Sequence, residues 1–171
     1  TMTELYHFMR LLYVKLGKQY CPNCDVEVAP KTFEEIFADM ADCIHKLCAE
    51  TGISLCEIKS IGIGTPGCLD TKQGILLFAG NFKYGKNVNY RELMKKHFDL
   101  PVYIGNDANV AALAEAKAGA AKGAKNAIMV TLGTGVGGGI IIDGNLYEGH
   151  FSAAGELGHL VLVHGGEPCT C

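Results

Sequence analysis

Residues Asn126–His159 read NAIMVTLGTGVGGGIIIDGNLYEGHFSAAGELGH. The apolar run Ala127–Leu132 predicts a buried strand. A glycine-dense turn, Gly133 to Gly139, follows it, and a second apolar run, Ile140-Ile141-Ile142, is closed by Asp143-Gly144-Asn145. Strand, glycine turn, β-branched strand and Asp-Gly turn together predict a β-hairpin. Glycines at this density let backbone N–H groups approach an anion closely, and Thr131 and Thr134 add hydroxyl donors. The stretch therefore predicts a phosphate-binding hairpin that uses Thr131, Gly133, Thr134, Gly135, Gly137 and Gly138. The letters Gly133-x-Gly135-x-x-Gly138 also match a dinucleotide fingerprint. That fingerprint must open a helix, and Ile140-Ile141-Ile142 makes a good strand and a poor helix start. A hairpin whose glycines serve only close packing is the alternative. It leaves the two threonines and the following Gly155-Glu156-Leu157-Gly158-His159 without a reason.

Working outward, the bulk properties narrow the class. The chain has 171 residues, enough for one ordinary domain or two small ones. Its apolar fraction of 49% is sufficient for a core. A net charge of −3 gives no electrostatic basis for nucleic-acid binding. No apolar run reaches the length of a membrane span. Polar Glu4 and His7 stand where a signal peptide would need an apolar core. The eight cysteines sit in helical and loop contexts of an enzyme-like sequence. They point to a reducing, cytoplasmic setting with metal binding favoured over disulfides.

Along the chain, Leu5, Phe8, Met9, Leu12 and Leu16 fall on one face of a predicted helix over residues 3–16, stopped by Gly17. Cys21-Pro22-Asn23-Cys24 is half a zinc motif without a second pair at ribbon spacing, and reads as a turn carrying two thiols. Thr32 and Glu35 form a capping box for a helix over residues 32–50, with Phe33, Ile36, Phe37, Met40, Ile44 and Leu47 as its buried stripe. Strands are predicted over 59–64, 74–79 and 101–104, and helices over 89–98, capped by Asn89 with Glu92, and 108–121, closed by Gly123. Strands alternating with helices predict an α/β fold with a largely parallel sheet. Pro66-Gly67, Asn81 and Asn106-Asp107 then lie at C-terminal strand ends, where such sheets gather their working residues.

Two resemblances follow from these motifs. The opening TELYHFMRLLYVKLGKQYCPNC resembles a short piece of the UvrA subunit of nucleotide-excision repair, a helix leading into a Cys-Pro-x-Cys turn. No G-x-x-x-x-G-K-[ST] loop accompanies it, so no repair function is carried over. From about Thr32 onward the chain resembles a bacterial glucokinase of the ROK family. The resemblance is carried by Ile61-Gly62-Ile63-Gly64-Thr65-Pro66-Gly67, Asn106-Asp107-Ala108-Asn109, Leu132 to Gly139, Gly155-Glu156-Leu157-Gly158-His159 and Cys169-Thr170-Cys171.

This resemblance implies an α/β actin-like ATPase (ribonuclease-H-like) sugar-kinase fold, present in part. Its segments are a UvrA-like 1–31, part of a first kinase lobe at 32–123 and the start of a second at 124–171. It implies transfer of the ATP γ-phosphoryl group to the 6-hydroxyl of a hexose, glucose first, with Mg2+ and a structural Zn2+. It also implies no nucleic-acid or membrane partner, and a homodimer. Asp107 is the implied base for a hydroxyl that is otherwise a poor nucleophile, with a plain helix N-cap as the alternative role. Gly67, Asn81, Asn106, Glu156 and His159 are implied sugar contacts. His159, Cys169 and Cys171 are three of the four implied zinc ligands. A non-catalytic sugar-binding or ROK-type regulatory module is the competing function. The family's Asp-x-Gly-Gly-Thr phosphate hairpin does not occur in these residues, nor does the family sequence beyond the Cys-x-Cys. The resulting expectation is the middle portion of a kinase that does not turn over by itself.

Overall fold

A computed structural model of the chain describes residues 9, 12, 16–79, 85–133, 135–150 and 152–166. It divides into two compact units, Thr1–Met40 and Ala41–Cys171. The helix expected over 3–16 lies mostly outside the described residues. Met9, Leu12 and Leu16 are helical, and all three are exposed. The Cys-Pro-Asn-Cys turn closes a short hairpin. Tyr20 bridges Glu27, the Cys21 N–H donates to the Val26 carbonyl and the Val28 N–H to the Gln19 carbonyl.

Helix α1 (Phe33–Thr51) begins as its sequence requires. The Thr32 N–H and hydroxyl both donate to the Glu35 carboxylate, and the Glu35 N–H donates back to Thr32 Oγ1 at 3.2 Å. These bonds hold the Glu35 carboxyl below its usual range. Gly52, at φ +71°, ends the helix. The buried stripe is rotated from the expected one. Phe37 and Ala41 are buried and Phe33, Met40, Ile44 and Cys48 half-buried, while Ile36 and Leu47 face out. The 33, 37, 41, 44, 48 spacing is a single helical face, and Ile36 and Leu47 flank it.

Among the described residues the rest forms three small sheets. Strands β1 (Ile61–Thr65) and β5 (Val102–Asn106) pair in parallel, with Thr65 opposite Asn106. Strands β2 (Cys68–Asp70), β3 (Ile75–Phe78) and β4 (Lys86–Asn89) form an antiparallel sheet. Strands β6 (Ala127–Leu132), β7 (Val136–Ile142) and β8 (Asn145–Leu146) form another. The expected largely parallel sheet is thus reduced to one pair. Its short links decide this: a parallel crossover needs a dozen or more residues, whereas β2–β3 and β6–β7 are joined by tight turns. The Asp143-Gly144 link of β7 to β8 has φ of +50° and +78°, the twist that suits a two-residue hairpin. Strand β6 is buried on one face only. Ala127, Met129 and Thr131 are half-buried, and Ile128, Val130 and Leu132 alternate with them on the exposed side.

Helix α2 (Tyr90–Lys95) is capped by Asn89, whose side chain accepts the Glu92 N–H at 3.0 Å. Leu69, Leu76, Tyr90, Leu93, Met94, Phe98, Val102 and Ile104 form the core around it. Helix α3 (Asp107–Ala118) follows β5 directly and ends at Gly119, earlier than the expected Ala121. No described helix is long and apolar enough to cross a membrane.

Candidate functional site

Parallel pairing places the C-terminal ends of β1 and β5 side by side. The turn after β1 holds Pro66 and Gly67, and β5 runs straight into Asn106-Asp107. Gly67 is fixed by its backbone. Its φ is +106°, and a Cβ there would lie 2.4 Å from the Phe78 carbonyl oxygen and 2.8 Å from Ala79 Cβ. Its place in the site is therefore to bring the end of β1 onto the end of β3. Asn81 lies outside the described residues.

The helix cap belongs to Asn106. Its Oδ1 accepts the Ala108 N–H at 3.0 Å and the Asn109 N–H at 3.2 Å. Asp107 is the exposed first residue of α3, with one carboxylate oxygen accepting the Ala108 N–H at 2.9 Å. Asn106 thus carries a structural load that the sequence reading placed on Asp107 as its alternative role. Asn106→Ala is expected to lower stability by about 0.5–2 kcal/mol. Asn106→Asp, which keeps the cap oxygen, should retain most of it; a chemical-denaturation series on both variants checks this.

Strand β7 is the hub of the site. The expected glycine turn over 133–139 is shorter than that: Gly133 and Gly135 form the tip, closed by the Gly133 N–H donating to the Gly135 carbonyl at 3.0 Å, while Gly137, Gly138 and Gly139 belong to the strand. The two tip glycines have open space where a Cβ would be. The strand glycines do not. A Cβ on Gly137 would meet Thr131 Oγ1 at 2.6 Å and Ala108 Cβ at 3.1 Å, and one on Gly139 would meet Ala112 Cβ at 2.4 Å. These absent side chains let α3 lie directly on the sheet. Thr131 is half-buried on the same face. Thr134 lies outside the described residues.

The Gly155–His159 segment runs along the edge of β7. A Cβ on Gly155 would lie 2.6 Å from the Gly138 carbonyl oxygen, and one on Gly158 only 2.1 Å from the Val136 carbonyl oxygen. The segment ends in a 3-10 turn, Leu157–His159, with Glu156 before it. Glu156 and His159 are about half exposed, and His159 Nε2 lies 3.7 Å from Glu156 Oε2. One strand therefore receives the helix that starts at Asp107 on its face and the segment bearing Glu156 and His159 on its edge. The sequence reading missed Asn109, which is 3% exposed at the junction of α3, β7 and this segment. It stands in the Asn106-Asp107-Ala108-Asn109 motif, where sequence reasoning assigned it no role of its own.

Cys169 and Cys171 lie outside the described residues. Among the described residues no three His, Cys, Asp or Glu side chains gather as a metal site, and six cysteines are free thiols. The Cys21 thiol is held below its usual range, first by the Asn23 backbone N–H and then by the Cys24 side chain.

The sequence profile of the ROK family matches residues 16–171. The chain is 39% identical over 137 residues to a glucokinase of Halalkalibacterium halodurans, covering 80% of this chain and 41% of that protein. It is 36% identical over 138 residues to a xylose repressor of Caldicellulosiruptor bescii, covering 81% and 34%. Among solved structures, the ROK hexokinase of Thermus thermophilus superposes with a TM-score of 0.72 at 34% identity, covering 85% of this chain and 47% of that one. The ROK family glucokinase of Streptomyces griseus in complex with glucose and AMPPNP superposes with a TM-score of 0.63 at 38% identity, covering 81% and 43%. The chain spans less than half the length of each of these relatives. Its mixed α/β architecture is part of the actin-like ATPase fold of the ROK sugar kinases.

Proposed function

The chain belongs to the ROK family, and we propose that it carries the sugar-binding surface and one side of the phosphate cradle of an ATP-dependent hexokinase with glucose as first substrate. The observation that supports this reading is the meeting on β7 of the Asp107 helix with the Glu156–His159 segment, beside an open glycine tip. The Streptomyces griseus relative, solved with glucose and an ATP analogue, supports the choice of ligands.

In this reading Asn106, Glu156 and His159 hold sugar hydroxyls, with Gly67 and Asn81 as further sugar contacts. Asp107 accepts the proton of the 6-hydroxyl as its oxygen bonds to the γ-phosphorus, and ADP leaves with the electrons of the broken P–O bond. Thr131, Gly133 and Gly135 would take the phosphates of Mg2+-bound ATP, with Thr134, between them in the sequence, as a further donor, and Gly137 and Gly138 hold that tip against α3 and the Gly155 segment. Calorimetric titration of the chain with glucose, and separately with AMPPNP, tests the reading. Saturable binding of both is expected; a folded chain that binds neither rejects it.

A regulatory module is the second reading, favoured by the similarity to the xylose repressor. It predicts sugar binding that Asp107→Asn leaves intact, with no sugar-dependent loss of ATP in any context. The finer features belong to the same proposal. They are a UvrA-like segment at 1–31, lobes at 32–123 and 124–171, a homodimer and a cytoplasmic setting.

Zinc is proposed at His159, Cys169 and Cys171, an N/S donor set that suits this ion. His159 fits as a donor, being half-exposed on its 3-10 turn, with Nε2 toward Glu156 and the other ring nitrogen left for the metal. Zinc there would tie down the segment that follows the sugar contacts. Titration of the chain with zinc is expected to show weak binding through these three ligands, weakened further in His159→Ala, and a chain completed with the family's fourth cysteine to hold about one ion firmly. A folded, completed chain that holds no zinc rejects the site.

A further inference from the structure

Asn109 Oδ1 is buried with no hydrogen-bond partner, the single such side-chain atom among the described residues. An unpaired buried acceptor is destabilising, so its retention calls for a reason. It points at the edge of the site: a Cβ on Gly155 would lie 2.9 Å from it and 2.6 Å from the Gly138 carbonyl oxygen. Gly155 directly precedes Glu156, and Asn109 sits two residues after Asp107 on α3. The other packing between α3 and β7 at this level is methyl groups on bare glycine backbone. Asn109 is thus the polar side chain that reaches from the Asp107 helix to the Glu156 segment.

We propose that Asn109 is a positioning residue whose Oδ1 accepts the Gly155 N–H when a sugar engages Glu156, the Glu156 N–H being donated to the Ala153 carbonyl, so that sugar binding and the spacing between Glu156 and Asp107 are set together. The inference rests on the sugar-site reading above. In the sugar-free protein the bond is unmade. Hexose hydroxyls pulling on the Glu156 carboxylate draw the segment toward α3, and the recovered hydrogen bond adds to the affinity. The glycine at 155 is what permits the approach, since any side chain would strike both Oδ1 and the β7 backbone.

The test is glucose titration of the 171-residue chain and of Asn109→Leu, with thermal midpoints and amide hydrogen exchange. Leu keeps the branched shape and removes the orphan acceptor; its methyl groups are bulkier than the amide and oppose that gain, so its midpoint should stay near that of the wild type. Its glucose affinity should fall by about tenfold, the worth of one such hydrogen bond. Glucose should slow exchange across Gly155–Leu157 in the wild type and not in the variant. A merely structural Asn109 would move the midpoint and leave the affinity and the exchange response alone, which overturns the proposal. Asn109→Ser, polar but too short to reach, is the second variant should Leu not fold; wild-type affinity in Ser also overturns it. A wild-type chain that binds no hexose removes the sugar-site reading and this inference together, whereas wild-type binding with an indifferent Leu variant removes the inference alone.

Discussion

Asp107→Asn is expected to lower hexose-dependent ADP release by about 10²–10⁴-fold, the usual cost of losing a general base, while glucose affinity stays within a few-fold. The substitution is close to isosteric and keeps an oxygen to accept the Ala108 N–H that the carboxylate accepts now. The helix does not depend on it, because Asn106 holds the cap through two N–H groups. An amide cannot take the proton of the 6-hydroxyl. Turnover is measured in a ROK glucokinase whose matching segment is replaced by residues 32–171, with the chimera that keeps Asp107 as control. An Asp107→Asn chimera that turns over at the control rate overturns the assignment. Equal falls in affinity and turnover would mark Asp107 as a sugar contact only.

Gly67→Ala is expected to be strongly destabilising. Two costs add. A residue with a Cβ held at φ +106° is strained by about 1–3 kcal/mol. The methyl would also sit 2.4 Å from the Phe78 carbonyl oxygen and 2.9 Å from Ala79 Cα, backbone that cannot swing aside, and overpacking of this kind costs about 1–3 kcal/mol. Together these come to about 2–6 kcal/mol, which reaches the lower end of an ordinary domain's stability of about 5–15 kcal/mol. Thermal melting by circular dichroism reads the effect, and a midpoint equal to that of the wild type contradicts it. Gly133→Ala is the matched control, since open space surrounds its Cα. It should melt normally and weaken AMPPNP binding if the tip faces phosphate.

The contrast between these two glycines shows what the sequence left open. Seven residues from Gly133 to Gly139 read as one anion-binding turn. The structure divides them by what surrounds each Cα: an open tip at Gly133 and Gly135, and strand backbone pressed on Ala108, Ala112 and Leu157 at Gly137, Gly139 and Gly138. Close packing and ligand approach both demand a missing side chain, so composition does not separate them. The same applies to Asn106 and Asp107. Either is a good N-cap, and the choice depends on how β5 enters α3.

What the sequence determined by itself is local. The Thr32/Glu35 box, the Asn89 cap and the β6–β7 hairpin stand where they were expected, because each is closed by bonds or turns spanning a few residues. Tertiary structure alone decided the rest. Strand β4, with Val88 the one apolar residue among four, has no period of its own and exists through its pairing with β3. The pairing of β1 with β5, which sets Thr65 beside Asn106 where α3 begins, joins segments far apart in the chain. The burial of Asn109 depends on where the Gly155 segment lies against β7. These features rest on contacts between distant residues, whose energies no local window contains.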